Sequence, residues 1–201
     1  MKIVIINYGA GNIQSIKFAI QRLGLEAVLS DNADEIRSAD KVIFPGVGEA
    51  SSAMAKLRAS GLDKTIPKLK QPVLGICLGM QLMCNSSEEG NTQGLRIFDV
   101  EVIRFNASKL VTGNAFKIPQ IGWNQISNLK SVLFNDIAEK EHVYLVHSYY
   151  APLCKETIAE SDYGIRYSAA LGKENFYGTQ FHPEKSSDVG EKILKNFLET
   201  P

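Results

Sequence analysis

Four short apolar runs, at residues 2–7, 26–29, 41–44 and 72–76, alternate with segments whose apolar residues recur at helical spacing, all before Gly90. That alternation constrains the fold more than any other feature of the chain. Short apolar runs without period-two polar alternation belong in a sheet buried on both faces, and parallel strands need a crossover between them, usually a helix. The helix after the first run carries Ile13, Ile16, Ile20 and Leu23 and stops at Gly24. The helix after the third run keeps Ala50, Ala53, Met54 and Leu57 on one face and ends at Gly61. Four strand–helix units in this arrangement predict an α/β three-layer sandwich around a central, mostly parallel sheet.

After Gly90 the pattern changes. Residues 95–105 alternate loosely, 117–124 read as irregular, and 143–146, 157–160, 165–171 and 176–181 read as strands joined by loops, so the C-terminal half should be β-rich and partly antiparallel. Residues 188–199 place Val189, Ile193, Leu194, Phe197 and Leu198 at helical spacing with lysines outward, an amphipathic helix that closes the domain. No repeat, low-complexity tract or linker interrupts the chain, and 201 residues suit one domain covering 1–201.

Composition excludes several classes of function. Lys+Arg and Asp+Glu both total 22, so no net field draws the chain to nucleic acid or to an anionic membrane, and small-molecule or protein partners are expected. No run is long enough to span a membrane, and the first is too short for a signal peptide. The three cysteines are Cys77 and Cys84, on one predicted element, and the distant Cys154. That odd number argues against a disulfide framework and for a reducing cytoplasm. Gly9 and Gly11 lie between a strand and a helix, but the dinucleotide fingerprint lacks its third glycine, with Gln14 or Ser15 near its place. A tight βα turn is the reading, and no cofactor, metal cluster or phosphate-binding loop is expected.

The fourth run leads into Gly75-Ile-Cys77-Leu-Gly79-Met-Gln81, which sets a cysteine at the join of a buried strand and a helix. A lone cysteine is ordinarily a small core residue. Here glycines two positions either side make the cysteine analogue of the nucleophile elbow, in which small neighbours permit a strained, exposing turn. The new helix aims its first N–H groups at the sulfur. Such a nucleophile needs a base, and three histidines are available. His142 sits in a charged stretch and reads as solvated, His147 follows a strand and could line a pocket, and His182 ends an apolar strand. In an extended segment Glu184 would lie on the same side as His182 and could fix its tautomer, with Pro183 stiffening the backbone between them. Oxyanion donors would come from the backbone N–H of Leu78 and from Pro45-Gly-Val-Gly48, because the ends of neighbouring parallel strands converge at one sheet edge. Pro-Gly-x-Gly is also simply a good loop sequence.

With Gln180-Phe-His182-Pro-Glu184-Lys, the elbow motif resembles the class I (triad) glutamine amidotransferases. Pro45-Gly-Val-Gly48, Tyr8-Gly-Ala-Gly-Asn12, Gly122-Trp-Asn124, Val146-His-Ser-Tyr149 and Glu184-Lys-Ser186 resemble, within them, the glutaminase subunits of imidazole glycerol phosphate synthase. The resemblance covers essentially the whole chain and implies a flavodoxin-like sheet. It implies that Cys77 forms a glutamyl thioester, His182 acts as acid and base, and Glu184 orients it. Gly46, Gln81, Ser148 and Tyr149 fall where relatives hold L-glutamine, and Val47 and Leu78 where they donate to the oxyanion. Gln120, Trp123, Asn124, Tyr144 and Lys185 would face a (β/α)8-barrel cyclase that receives ammonia and makes imidazole glycerol phosphate in histidine biosynthesis. The resemblance also implies little activity before that partner docks; the glycines of Pro45-Gly-Val-Gly48 suggest that one peptide rests turned the wrong way until docking reorients it. Two positions depart from the family pattern: Asn7 replaces a common aspartate, and Gln120 a common histidine. A glutaminase of the same class serving another synthase, for example one that builds an amidino sugar, is the alternative. A Cys-His hydrolase or peptidase-like chaperone and a silent binding module fit the motifs less well.

Overall fold

The computed structural model describes residues 1–106 and 117–200. In chain order the elements begin β1 (Ile3–Ile6), α1 (Ile13–Arg22), β2 (Ala27–Ser30), α2 (Ala33–Arg37), β3 (Lys41–Phe44), α3 (Ala50–Ala59), α4 (Leu62–Thr65), β4 (Val73–Ile76) and α5 (Leu78–Leu82). They continue with β5 (Cys84–Ser87), β6 (Thr92–Gln93), β7 (Phe98–Arg104), β8 (Gln120–Gln125), β9 (His142–His147), β10 (Tyr149–Tyr150), β11 (Thr157–Asp162), β12 (Arg166–Lys173), β13 (Phe176–Thr179) and α6 (Ser187–Glu199).

The main sheet runs β11-β12-β13-β4-β3-β1-β2. β2, β1, β3, β4 and β13 are parallel neighbours, and β12 and β11 extend the sheet antiparallel from β13. Alternation of side chains along each strand builds a core on either face. Ile3, Ile5, Ile43, Leu74 and Ile76 pack with Ile16 and Ile20 of α1 and with Ile193, Leu194 and Phe197 of α6. Val4, Ile6, Val42, Phe44 and Val73 pack with Met54 and Leu57 of α3 and Met80 of α5. Each such fully buried side chain contributes about 1.5–3 kcal/mol relative to exposure, and this double burial is why β1, β3 and β4 read as continuous apolar runs, whereas edge strand β2 leaves Val28 and Leu29 exposed. The three-layer α/β architecture expected from the sequence is the one observed. Among the described residues no helix is long and apolar enough to cross a membrane.

Two local expectations are corrected. Residues 117–124, read as irregular, contain β8, which pairs antiparallel with β9 from Gln120 opposite His147 to Gln125 opposite His142. Only Gln120 of this strand is buried, so backbone pairing holds it and the hydrophobic pattern carried no signal. The elbow helix also ends at Leu82, and Cys84 opens β5, so Cys77 and Cys84 do not share an element. The returning chain is the cause. The N–H groups of Leu95, Arg96 and Ile97 donate to the carbonyls of Leu82, Cys84 and Met83 at 2.8, 3.1 and 2.8 Å, taking acceptors that a longer helix would use. Gly94 permits that approach, since a Cβ there would lie 2.1 Å from the Cys84 carbonyl oxygen.

Because β1, β3, β4 and β13 are parallel, their C-terminal ends lie at one edge of the sheet. The loop from Asn7 to Asn12, the loop from Pro45 to Gly48, Cys77 and the segment Gln180–Glu184 all emerge there.

Candidate active site

Cys77 has φ 53° and ψ −110°, a conformation that costs a non-glycine residue about 1–3 kcal/mol. Neighbouring packing holds it there. Its N–H donates to the Thr179 carbonyl at 2.7 Å, tying the elbow to the end of β13. α5 then lies directly against β3: a Cβ on Gly79 would sit 2.0 Å from the Phe44 carbonyl oxygen, so only glycine fits. Cys77 is itself 7% exposed. The first N–H groups of α5, beginning at Leu78, have no partners within the helix, which leaves them available to a developing negative charge beside the sulfur.

His182 follows β13, and its N–H donates to the Tyr144 carbonyl at 2.9 Å. Its Nδ1 lies 2.8 Å from Glu184 Oε1, with both side chains almost wholly buried. Pro183–Lys185 form a 3-10 turn, so Glu184 reaches the ring by folding back and not along an extended strand as the spacing suggested. Ser186 locks the turn, its hydroxyl donating to the His182 carbonyl at 2.7 Å and accepting from the Tyr144 N–H at 3.0 Å. Among the described residues, the buried Nε2 of His182 makes no conventional hydrogen bond, which leaves it to interact with the Cys77 sulfur. Burial pulls the His182 pKa down, but hydrogen bonding and charge from Cys77 and Glu184 together outweigh it and push it up to about 10. A protonated imidazole beside the sulfur is the partner that an activated cysteine needs.

Cys77 and His182 line one cavity of about 310 Å³, at the small end of the roughly 300–1,000 Å³ usual for ligand pockets and suited to a metabolite of amino-acid size. Val47 and Gly48 line it from the loop after β3, Leu78 and Gln81 from α5, and Ser148 and Tyr149 from the chain after β9. Gly46 lies one step back: a Cβ there would be 2.5 Å from the Gly79 backbone nitrogen, so its part is to let the loop sit on the elbow. Gln81 Nε2 donates to the Tyr149 carbonyl at 3.0 Å and to Gln180 Oε1 at 2.9 Å.

His147 also lines the cavity, and burial above all, with the charge of His182 adding to it, lowers its pKa to about 4 despite the Tyr149 carbonyl. Its Nδ1 is 2.8 Å from that carbonyl, which can only accept, so the ring is neutral with Nδ1 protonated. Glu89 is a cavity residue that sequence reasoning missed. It accepts from the Ala50 N–H at 2.9 Å, and burial raises its pKa. Its turn, Glu89–Asn91, packs on the start of α3, and no periodicity marks such a position.

Of the expected partner-facing residues, Trp123 is 53% exposed, and its ring centroid lies 6.1 Å from that of Tyr144, its cross-strand neighbour. Lys185 Nζ lies 5.9 Å over the Tyr144 ring. Asn124 donates to the Asp162 carbonyl at 2.8 Å from the same edge. Gln120 differs: it is 3% exposed and accepts a hydrogen bond from the Tyr167 hydroxyl at 3.0 Å, because period-two alternation turns it inward while Ile121 and Trp123 face out. Asn7 accepts from the Gly9 N–H at 3.4 Å and so starts the turn into α1.

A family model described as glutamine amidotransferase class-I matches residues 4–200. An imidazole glycerol phosphate synthase subunit HisH from Bacteroides fragilis is 56% identical over 199 residues, covering 99% of this chain and 100% of that one. A subunit of the same name from Haemophilus influenzae is 45% identical over 200 residues, covering 99% and 98%. Among solved structures, PurLQS from Thermotoga maritima matches with a TM-score of 0.72 at 15% identity, covering 98% of this chain and 97% of that one, which bears on the fold alone.

Proposed function

The chain belongs to the class-I glutamine amidotransferases, and we propose that it is the glutaminase subunit of an imidazole glycerol phosphate synthase in histidine biosynthesis, working as one domain over its whole length. The observation that carries the chemical reading is the shared cavity of an elbow cysteine and a histidine whose other nitrogen is held by a buried carboxylate.

The Cys77 thiolate adds to the side-chain amide carbon of L-glutamine, and the oxyanion takes N–H donors from Leu78 and from the loop at Val47. His182 delivers its proton to the amide nitrogen as the C–N bond breaks, releasing ammonia and leaving a glutamyl thioester on the sulfur. The same ring, now neutral, takes a proton from water, which attacks the thioester and frees glutamate. Glu184 keeps the ring oriented through both halves. Gln81, Ser148 and Tyr149 hold the substrate, and Glu89, a carboxylate in the lining, suits its α-ammonium group.

Ammonia released into neutral water is largely protonated and no longer a nucleophile, so the product is useful only if it passes directly to a docked synthase. The exposed Ile121, Trp123 and Lys185, grouped around half-buried Tyr144, support docking by a (β/α)8-barrel cyclase, forming a heterodimer. Three free cysteines suit the cytoplasm as the place of work. The test is glutamate release by the purified chain, alone and with a candidate barrel cyclase and its nucleotide substrate. Stimulation by the pair together is the expected result. Equal turnover without any cyclase counts against the partner, and stimulation by a different synthase moves the chain to the amidino-sugar alternative.

A further inference from the structure

Gln180 lies fully buried between the cavity's substrate side and its sulfur, and the reaction as described gives it no task. Its Oε1 is 2.9 Å from Gln81 Nε2, and its Nε2 is 3.7 Å from Cys77 Sγ. These contacts determine which way the Gln180 amide points. Gln81 Nε2 can only donate, and it also donates to the Tyr149 carbonyl, which can only accept. The atom of Gln180 that it meets must therefore be the oxygen, and the atom directed at Cys77 must be the NH₂ group. Flipping Gln180 would set two NH₂ groups against each other in a buried contact.

We propose that Gln180 is a hydrogen-bond donor to the Cys77 thiolate, with Gln81 as the positioning residue that locks its orientation. The donor approaches from β13's end of the sheet, the same end that fixes the Cys77 N–H through Thr179, so nucleophile backbone and sulfur are both held by one strand terminus. A neutral donor favours the charged sulfur without consuming the proton that His182 must carry, and it adds no counter-charge that would weaken attack. Gln81, which the proposed function places on the substrate, thereby connects substrate contact to the nucleophile through a single amide.

This inference rests on Cys77 being the nucleophile, and thiol alkylation separates the two. The full-length chain is treated with iodoacetamide across a pH series, and modification is followed on the Cys77 peptide by mass spectrometry, which keeps Cys84 and Cys154 apart from it. In Gln180→Met, close in size but without a donor, the midpoint of Cys77 alkylation moves up by about half a pH unit or more, roughly a threefold loss of thiolate at any pH below the midpoint. In Gln81→Met, which removes the lock and not the donor, it moves in the same direction by less. Thermal unfolding of each variant reports whether the fold is kept, and Gln81→Met alone reads the proposal if Gln180→Met does not fold. A midpoint unchanged in the folded variants overturns the role of Gln180. A wild-type Cys77 that is no more reactive than Cys154 overturns the nucleophile assignment instead.

Discussion

His182 Nδ1 and Glu184 Oε1 lie 2.8 Å apart in a buried turn, two residues from each other in the chain, so one short segment carries both the ring proposed to transfer protons and the group proposed to aim it. Substituting Glu184→Gln keeps the shape but permits the wrong tautomer. The expected result is a fall in kcat of about 10²–10⁴ with little change in KM, measured as steady-state glutamate release in the presence of the cyclase. A KM effect without a kcat effect would move Glu184 from orientation to substrate binding.

The elbow's dependence on close approach is separable from backbone strain. Gly79→Ala places a methyl group 2.0 Å from the Phe44 carbonyl oxygen and should cost about 1–3 kcal/mol or more. Gly24→Ala meets nothing within 4 Å and bears only the cost of φ +75°, about 1–2 kcal/mol. Denaturant midpoints should rank Gly79→Ala as the more damaging. Only Gly79→Ala should also abolish Cys77 reactivity.

Much of this was legible in advance because the chemistry is local. Residues 72–81 contain strand, turn, the cysteine proposed as nucleophile and helix start in one run, and His182 and Glu184 lie close in sequence, so spacing alone could pair them. β8 was not legible, since its pairing with β9, which sets Trp123 opposite Tyr144, depends on backbone hydrogen bonds that no apolar pattern records. Glu89 and the proposed role of Gln180 escaped for a related reason: each residue makes its contact far along the chain, with Ala50 and with Gln81, respectively. The inward turn of Gln120 followed from strand alternation, but only once β8 was known to be a strand.

His147 makes stability depend on pH in one direction. Its folded-state pKa of about 4 lies below the ordinary histidine value of 6.5, so the folded chain binds fewer protons than the unfolded one between those values. The stability gained by keeping the ring neutral is present above pH 6.5 and is lost as pH falls toward 4, by roughly 3 kcal/mol in total. Chemical denaturation at a series of pH values should give a shallower acid slope for His147→Gln than for the wild type. An identical slope in the two proteins would remove His147 as its source.

Trp123 offers a test of the docking face. An exposed aromatic ring propped on Tyr144 has the character of an interface anchor, and Trp123→Ala should weaken binding to the barrel cyclase by about 2 kcal/mol, roughly 30-fold in Kd. Calorimetric titration reads the affinity, and the thermal midpoint of the isolated chain should stay where it is. Undiminished affinity would direct attention to a different face.

The sulfur of Cys77 carries the proposed chemistry. Glutamate release is to be measured for wild type and Cys77→Ala, each mixed with the barrel cyclase and its nucleotide substrate. The wild-type complex should release glutamate and the Cys77→Ala complex should release none above the uncatalysed background. Equal release by both would contradict the thioester route, whatever the family and the fold.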